Sequence, residues 1–213
     1  MTYFYIDTTS SYLYSGIVKE GKILAEIKKN FNRDLSKYTI SEIEKIFKIA
    51  NLKPIDIDKI IVVAGPGSFT GIRIGMTFAK IFAWSNLKAI TTITSLQAMA
   101  SSILSKHALV PIIDARRGFV YAGVYKNGDV ILKDQYIELA KLQEYLNNLG
   151  EDYFYITNDS KFTFDNQFGY NPNILNIVET YKDKNSINPH LVEPVYLKLT
   201  EAEENLGSRS HDN

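Results

Sequence analysis

The 213-residue sequence contains no cysteine. Without thiols the chain forms no disulfide bond, no thiolate zinc site and no cysteine nucleophile. It also carries no net charge, because 24 lysines and arginines balance 24 aspartates and glutamates. A protein that holds nucleic acid by itself normally has a basic excess, since phosphate contacts supply most of the affinity. The composition therefore excludes cysteine chemistry and disfavours a nucleic-acid-binding protein that acts alone.

Long apolar runs are also missing. Residues 1–15 have neither a basic start nor a continuous apolar core, and no apolar stretch approaches ~18 residues, so we expect no secretory signal and no membrane span. A cytoplasmic protein is the expectation. Histidine is scarce too, with His107, His190 and His211 far apart in the sequence. A metal site normally takes three or four ligands, often two from one local element, so the sequence predicts no metal site.

One order of predicted elements, a strand that ends in aspartate, a hairpin, a helix and a strand, occurs twice along the chain. An apolar run that ends at Asp7 precedes a hairpin turn at Gly21, a helix over 40–50 and a buried strand. A second run ends at Asp114 and precedes a hairpin turn at Gly128, then a helix and a strand. Asp7 and Asp114 lie 107 positions apart, as do the two glycines. The order predicts an α/β fold with a mixed sheet in each half.

Two such units, each resembling ribonuclease H, make up the architecture of the actin-like ATPase (ASKHA) superfamily. We predict a first lobe over 1–106, which carries a glycine-rich loop and partner-binding helices. A second lobe is predicted over 107–204. Residues 205–213, NLGSRSHDN, are expected to be a disordered tail or an addition to the natural chain.

The glycine-rich loop AGPGSFTGIRIG, residues 64–75, has the layout of a phosphate-binding loop between a strand and a helix. A Walker loop needs a lysine, and none lies between Gly65 and Gly71. A dinucleotide-binding loop needs an acidic residue at the end of the next strand, but KAITTIT ends in threonine. The loop is therefore a weak nucleotide site. The alternative is a tight turn in which Ser68 caps the following helix.

That helix has small residues four positions apart on one side and bulky residues on another. A stripe of small residues lets a neighbouring element approach closely. Packing within the chain and packing against a partner both remain open. The candidate partner interface consists of Gly71, Arg73, Gly75, Phe78, Ala79, Phe82 and Ala83.

The loop sequence GPGSFTGIRIG resembles the signature of the TsaB (YeaZ) family, which works in making N6-threonylcarbamoyladenosine beside the anticodon of transfer RNA. IDTTSS from Ile6, IIDARRGFVYAGVY from Ile112 and EPVYLKLTEAE from Glu193 resemble further motifs of the family, in the same order and spacing. The chain departs at RDLSKYT, where many relatives carry a histidine before the first helix. A role attached to that histidine is in doubt here.

The resemblance implies a non-catalytic actin-like subunit that pairs with its paralogue TsaD. TsaD carries the metal-binding histidines and transfers the threonylcarbamoyl group, and the ATPase TsaE joins them in bacteria. Transfer RNA would be reached through the complex. No cofactor is expected on this chain alone, whereas ATP or ADP at the joint between subunits and a homodimer of the isolated chain stay open.

Actin-like enzymes keep an acidic group near nucleotide-bound magnesium, and Asp7 occupies that place with Asp114 as its duplicate. Both aspartates could instead cap tight turns. The alternative function is an active actin-like ATPase or small-molecule kinase. A protease is disfavoured because the sequence offers neither cysteine nor a recognisable serine triad. The candidate nucleotide-like loop residues are Asp7, Thr8, Thr9, Gly65, Gly67, Ser68 and Asp114.

Overall fold

The computed structural model describes residues 1–198 and contains two five-stranded mixed sheets. In the first, the strand order is β3-β2-β1-β4-β5. Strand β1 pairs antiparallel with β2 and parallel with β4, as expected for a hairpin followed by a strand that returns through a helix. The strands are β1 (Thr2–Asp7), β2 (Tyr12–Lys19), β3 (Lys22–Asn30), β4 (Lys59–Val63) and β5 (Ala89–Ile93).

The second sheet repeats the first, with β6 central and the order β10-β9-β6-β7-β8. Strand β6 pairs antiparallel with β7 and parallel with β9. Asp7 and Asp114 therefore end the equivalent central strands of the two sheets, and the predicted duplicated α/β fold is confirmed. The strands are β6 (Ala108–Asp114), β7 (Phe119–Lys126), β8 (Asp129–Glu138), β9 (Tyr153–Ile156) and β10 (Gln167–Phe168).

The described residues include five α-helices. The first begins at Leu35, so the predicted start at residue 40 is wrong. Buried Leu35 and Thr39 extend its apolar face by one turn, and the Thr39 hydroxyl donates to the Leu35 carbonyl at 2.7 Å. The helices are α1 (Leu35–Ala50), α2 (Phe69–Ser85), α3 (Ser95–Ser101), α4 (Leu139–Asn147) and α5 (Ile174–Tyr181). None is long and apolar enough to cross a membrane.

Helices cover both faces of the first sheet. On one face Phe4 packs against Phe47 of α1 and Phe82 of α2, with ring centroids 5.4 and 5.5 Å apart. On the other face Tyr5 lies in one apolar cluster with Ile177 of α5. Helix α5 thus returns to the first sheet although it follows the second sheet in the chain.

The segment after α5 stays on the first sheet. The amide of Ile187 donates to the carbonyl of Ile90, and the amide of Val195 donates to the carbonyl of Ala64, both at 2.8 Å. The lobes at 1–106 and 107–204 remain predictions, and the predicted tail over 205–213 lies outside the described residues.

Candidate functional site

The loop after β1 and the glycine-rich loop are bonded to each other. The Ser68 amide donates to the Thr9 carbonyl at 2.7 Å, and the Thr8 hydroxyl donates to the Gly71 carbonyl at 2.7 Å. Ser95, at the start of α3, donates its hydroxyl to the Pro66 carbonyl at 2.6 Å. Six of the predicted loop residues, from Asp7 to Thr9 and from Gly65 to Ser68, are thereby brought together.

The glycines of this loop leave room for the backbone of the loop that follows β1. A Cβ atom at Gly67 would lie 2.2 Å from the Thr9 carbonyl oxygen, and one at Gly71 would lie 2.0 Å from the Thr8 carbonyl oxygen. Gly65 has φ +112°, which side chains rarely adopt. Gly67 and Gly71 therefore leave room for the backbone of Thr8 and Thr9, and the Ser68 amide is bonded to that backbone rather than free for an anion.

Asp7 is 3% exposed and caps the turn that follows β1. The Thr9 amide and the Thr9 hydroxyl both donate to its Oδ1 atom, at 2.8 and 2.7 Å. Burial raises the pKa of the Asp7 carboxyl group, while the bonds from Thr9 act in the opposite direction. The turn-capping interpretation therefore accounts for one of the two carboxylate oxygens.

Asp114 caps its own turn in the same way, since the Arg116 amide donates to its Oδ1 at 2.9 Å. Its second oxygen accepts a hydrogen bond from the Lys161 ammonium, and this bond lowers the pKa of Asp114. The two duplicate aspartates thus differ, because Asp114 has a cation beside it and Asp7 has none among the described ion pairs. Lys161 follows β9 far along the sequence, and no spacing signal connects it to Asp114.

Replacing Asp7 by asparagine should leave the protein at least as stable at pH 7. The amide oxygen can accept the same two bonds from Thr9, and the cost of a buried charge disappears. Because the pKa of Asp7 is raised, its ionisation destabilises the folded protein as pH rises above the ordinary aspartate pKa of about 3.9. The melting temperature of the variant, relative to that of the native protein, should be higher at pH 7 than at pH 4. A less stable variant at pH 7 would contradict this account.

Two cavities lie beside the loops that follow the central strands β1 and β6, and Thr9, Gly67 and Asp114 line both. The larger, of about 940 Å³, is bordered by Arg33 and Arg116. The smaller, of about 380 Å³, is bordered by Asp7. Five of the seven predicted nucleotide-like residues therefore border one of these cavities, whereas Thr8 and Gly65 border neither.

The stripe of small residues on α2 packs inside the chain. A Cβ atom at Gly75 would lie 2.3 Å from the Thr8 hydroxyl oxygen, and Ala79 and Ala83 are fully buried in the core of the first sheet. The prediction that this stripe receives a partner helix is therefore wrong for Gly71, Gly75, Ala79 and Ala83. Their small size lets α2 approach the loop after β1.

The opposite side of α2 forms an apolar groove with α1, of about 760 Å³. Three of the predicted interface residues, Arg73, Phe78 and Phe82, line it. The Arg73 guanidinium carbon lies 3.8 Å from the ring centroid of Phe69, and Arg73 is the one charged residue of the lining. The prediction missed two exposed contributors, Phe69 at the start of α2 and Ile40 of α1. Ile40 was missed because the helix spacing on α2 alone does not show which residues of α1 lie beside it.

Comparisons with known proteins decide the family. A family model described as "TsaD: tRNA N6-adenosine threonylcarbamoyltransferase" matches residues 22–205. A curated relative from Bacillus subtilis, "tRNA threonylcarbamoyladenosine biosynthesis protein TsaB", is 32% identical and covers 95% of this chain and 96% of its own. The chain belongs to the TsaB family, within the wider family of that model. A TsaB from Haemophilus influenzae is 25% identical and covers 93% of this chain and 94% of its own.

Solved structures of TsaB-like proteins share the fold. "YeaZ from Pseudomonas aeruginosa" has a TM-score of 0.75 at 16% identity and covers 92% of this chain and 100% of its own. A second crystal structure, of an uncharacterised protein with similarity to peptidase YEAZ from the same organism, has a TM-score of 0.81 at 18% identity, covering 92% and 99%. The actin-like fold expected from the sequence is therefore confirmed.

The histidines of this TsaB-family chain lie apart. His107 lies 3.8 Å from the Asp152 carboxylate, and His190 lies edge-on to Trp84. His211 falls outside the described residues. Within residues 1–198, no three histidine, cysteine or acidic side chains lie close enough to hold a metal ion. The absence of a metal site in the whole chain remains a prediction.

Proposed function

We propose that the chain is a non-catalytic partner subunit in tRNA N6-threonylcarbamoyladenosine synthesis, which docks TsaD and supports its transferase activity. The names of the curated TsaB relatives support the pathway. The observation that carries the docking role is the exposed apolar groove between α1 and α2. TsaE and transfer RNA would then join the complex, and the zero net charge supports binding of transfer RNA by the assembly rather than by this chain alone.

The groove has the composition of a protein interface. Three apolar residues of its lining, Ile40, Phe69 and Ile81, are each more than half exposed. Exposed apolar residues gathered in one patch mark interaction sites on soluble proteins, whereas scattered ones need no explanation. Arg73 adds one positive charge to this patch. The complementary surface on TsaD is therefore a helical face with apolar side chains and a nearby acidic residue. Without TsaD, the same groove could pair with a second copy of the chain.

Two contacts argue against the alternative ATPase or kinase. The Ser68 amide of the glycine-rich loop is bonded to the Thr9 carbonyl, so it is not free to bind a phosphate group of a nucleotide. The Asp7 oxygen Oδ1 is committed to Thr9. A nucleotide could bind in the standard loop geometry only if the two loops first separated. ATP hydrolysis by the isolated chain that Asp7→Asn abolishes would overturn the non-catalytic role.

Ile81→Glu should weaken the complex with TsaD at least tenfold. Ile81 is 58% exposed, so a glutamate there is tolerated in the folded chain, but docking would bury its charge against an apolar surface. The matched control is Ile55→Glu, because Ile55 is 60% exposed and lies outside the groove. Calorimetric titration with the matching TsaD gives the affinities, and reconstituted transfer RNA modification should fall in parallel. Equal affinities for both variants would rule out this docking surface, and no complex with the native chain would rule out the partner role.

A further inference from the structure

We propose that the smaller cavity beside the loops that follow β1 and β6, of about 380 Å³, binds a small organic cation, an aliphatic polyamine. The cavity lies beside Asp7 and is distinct from the α1–α2 groove, so it does not depend on how the chain meets TsaD. Its volume falls near the lower end of the range for ligand sites, roughly 300–1,000 Å³.

The charge of the lining is negative. Three carboxylates, Asp7, Asp114 and Asp159, border the cavity, and its lining includes no lysine or arginine. Lys161 lies beside this cavity and is bonded to Asp114. Arg116 also lies close enough to act on Asp114, so two neighbouring cations, both at Asp114, face three acidic groups. The balance at the Asp7 end of the cavity remains negative, which favours a cationic ligand there.

Asp7 supplies a buried negative charge without a counter-ion. Its side chain is almost completely buried, and the described residues include no ion pair to it. Both hydrogen bonds from Thr9 go to Oδ1, which leaves Oδ2, among the described residues, with only the Tyr5 hydroxyl group close enough to influence the carboxyl group. Buried charges in proteins are normally paired. A ligand ammonium group at Oδ2 would complete the pair.

Tyrosine rings form the other side of the cavity. Tyr12 and Tyr14 stack with centroids 5.2 Å apart, and Tyr170 meets Tyr14 edge to face. Ring faces attract organic cations, and the aliphatic chain of a polyamine packs well on them. Two buried hydroxyl groups, of Tyr5 and Tyr170, have no hydrogen-bond partner within residues 1–198. Tyr170 borders the cavity, and Tyr5 is fully buried two residues before Asp7 on the same strand. The Tyr170 hydroxyl can therefore accept a hydrogen bond from the same ligand.

Ligand geometry favours an ammonium ion over a divalent metal ion. Calcium and magnesium require about six oxygen ligands, commonly with several carboxylates in direct reach. The carboxylates of residues 1–198 form no group of three that could hold a metal. A primary ammonium group needs only one carboxylate, a second acceptor and a ring face. The cavity offers a carboxylate in Asp7, an acceptor in the Tyr170 hydroxyl group and a ring in Tyr12, which is 36% exposed.

Calorimetric titration of the full chain with putrescine and spermidine tests the site. Saturable binding of one molecule per chain is expected, and 1,4-butanediol, which is neutral and of similar length to putrescine, should not bind. Asp7→Asn should reduce the affinity at least tenfold. The exposed turn residue Asp129 provides a matched control, and Asp129→Asn should bind as the native chain does.

Tyr170→Phe distinguishes a loss of the binding site from a general loss of structure. The variant keeps the ring and removes a hydroxyl that has no partner in the described residues, so its melting temperature should not fall, whereas polyamine affinity should drop severalfold. Three results would overturn the proposal. The first is no saturable polyamine binding, and the second is an equal loss of polyamine affinity in Asp129→Asn and Asp7→Asn. The third is that magnesium chloride binds as tightly as the polyamines at matched ionic strength.

Discussion

Gly71→Ala should destabilise the protein by about 3 kcal/mol, towards the upper end of the usual cost of overpacking. The new Cβ atom would lie 2.0 Å from the Thr8 carbonyl oxygen. The backbone of Thr8 cannot simply withdraw, because the Thr8 hydroxyl is bonded to the Gly71 carbonyl and the Thr9 carbonyl is bonded to the Ser68 amide. For a chain of this size, the melting temperature should fall by roughly 6–12 °C.

Gly169→Ala is the matched control for this prediction. Its Cβ atom would meet one atom within 4 Å, the side-chain oxygen of Asn158 at 3.3 Å. We expect a change within about 1 kcal/mol, because a side-chain amide can shift by a few tenths of an ångström. Equal melting temperatures for Gly71→Ala and Gly169→Ala would show that the two loops are not packed as described.

A double-mutant cycle distinguishes the two contacts that Thr8 makes with α2. A Cβ atom at Gly75 would meet the Thr8 hydroxyl oxygen, whereas one at Gly71 would meet the Thr8 carbonyl. Thr8→Ala removes the hydroxyl and γ-methyl groups of the side chain and leaves the carbonyl group in place. It should therefore recover part of the stability lost in Gly75→Ala, by about 1 kcal/mol of coupling, and little of that lost in Gly71→Ala. Coupling of the same size at both glycines would contradict the assignment of the contacts.

The sequence predicted the duplicated fold well because its signals are local. The turns at Gly21 and Gly128 both have positive φ, as expected for hairpin glycines, and Asp7 and Asp114 end equivalent strands. The small-residue stripe on α2 is a different kind of signal. Spacing shows that these residues share a helix face, but it does not show which element lies against that face. Only the bonded loop after β1 reveals that the face is internal.

The candidate site shows the same limit. Asp7 and Gly67 were grouped as candidate nucleotide-like loop residues, and both border the smaller cavity. The tyrosine wall was not predicted, since Tyr170 comes from a segment between the second sheet and α5, and nothing in its neighbourhood indicates a contact with Tyr14. Contacts between distant segments depend on the packing of whole elements, which periodicity does not encode.

Lys59 should be the most important charged residue for holding α5 on the first sheet. It is 5% exposed at the start of β4, and its ammonium group donates to the carbonyls of Lys182 and Lys184, at 2.8 and 2.5 Å. These carbonyls follow the last turn of α5, where a positive charge also interacts favourably with the helix dipole. Burial lowers the pKa of Lys59, so part of its contribution is offset by the cost of desolvating the ammonium group.

Lys59→Met keeps the length of the side chain and removes both hydrogen bonds. We expect a loss of about 2–3 kcal/mol, because hydrogen bonds to charged groups contribute about 1.5–3 kcal/mol each and the desolvation cost of the ammonium group is recovered. Lys182→Met is the control, since the exposed pair between Lys182 and Glu179 is worth at most about 1 kcal/mol. Chemical denaturation gives both values.

Hydrogen exchange locates the effect of Lys59→Met. If the ammonium group holds the end of α5, amides of α5 should lose protection in the variant before those of α4, which packs on the second sheet. Uniform loss of protection in both helices would mean that Lys59 acts on the whole first sheet rather than on α5. Tyr170 lies just before α5 in the chain and borders the smaller cavity. Release of α5 from the first sheet should therefore move Tyr170 and weaken polyamine binding in the same variant.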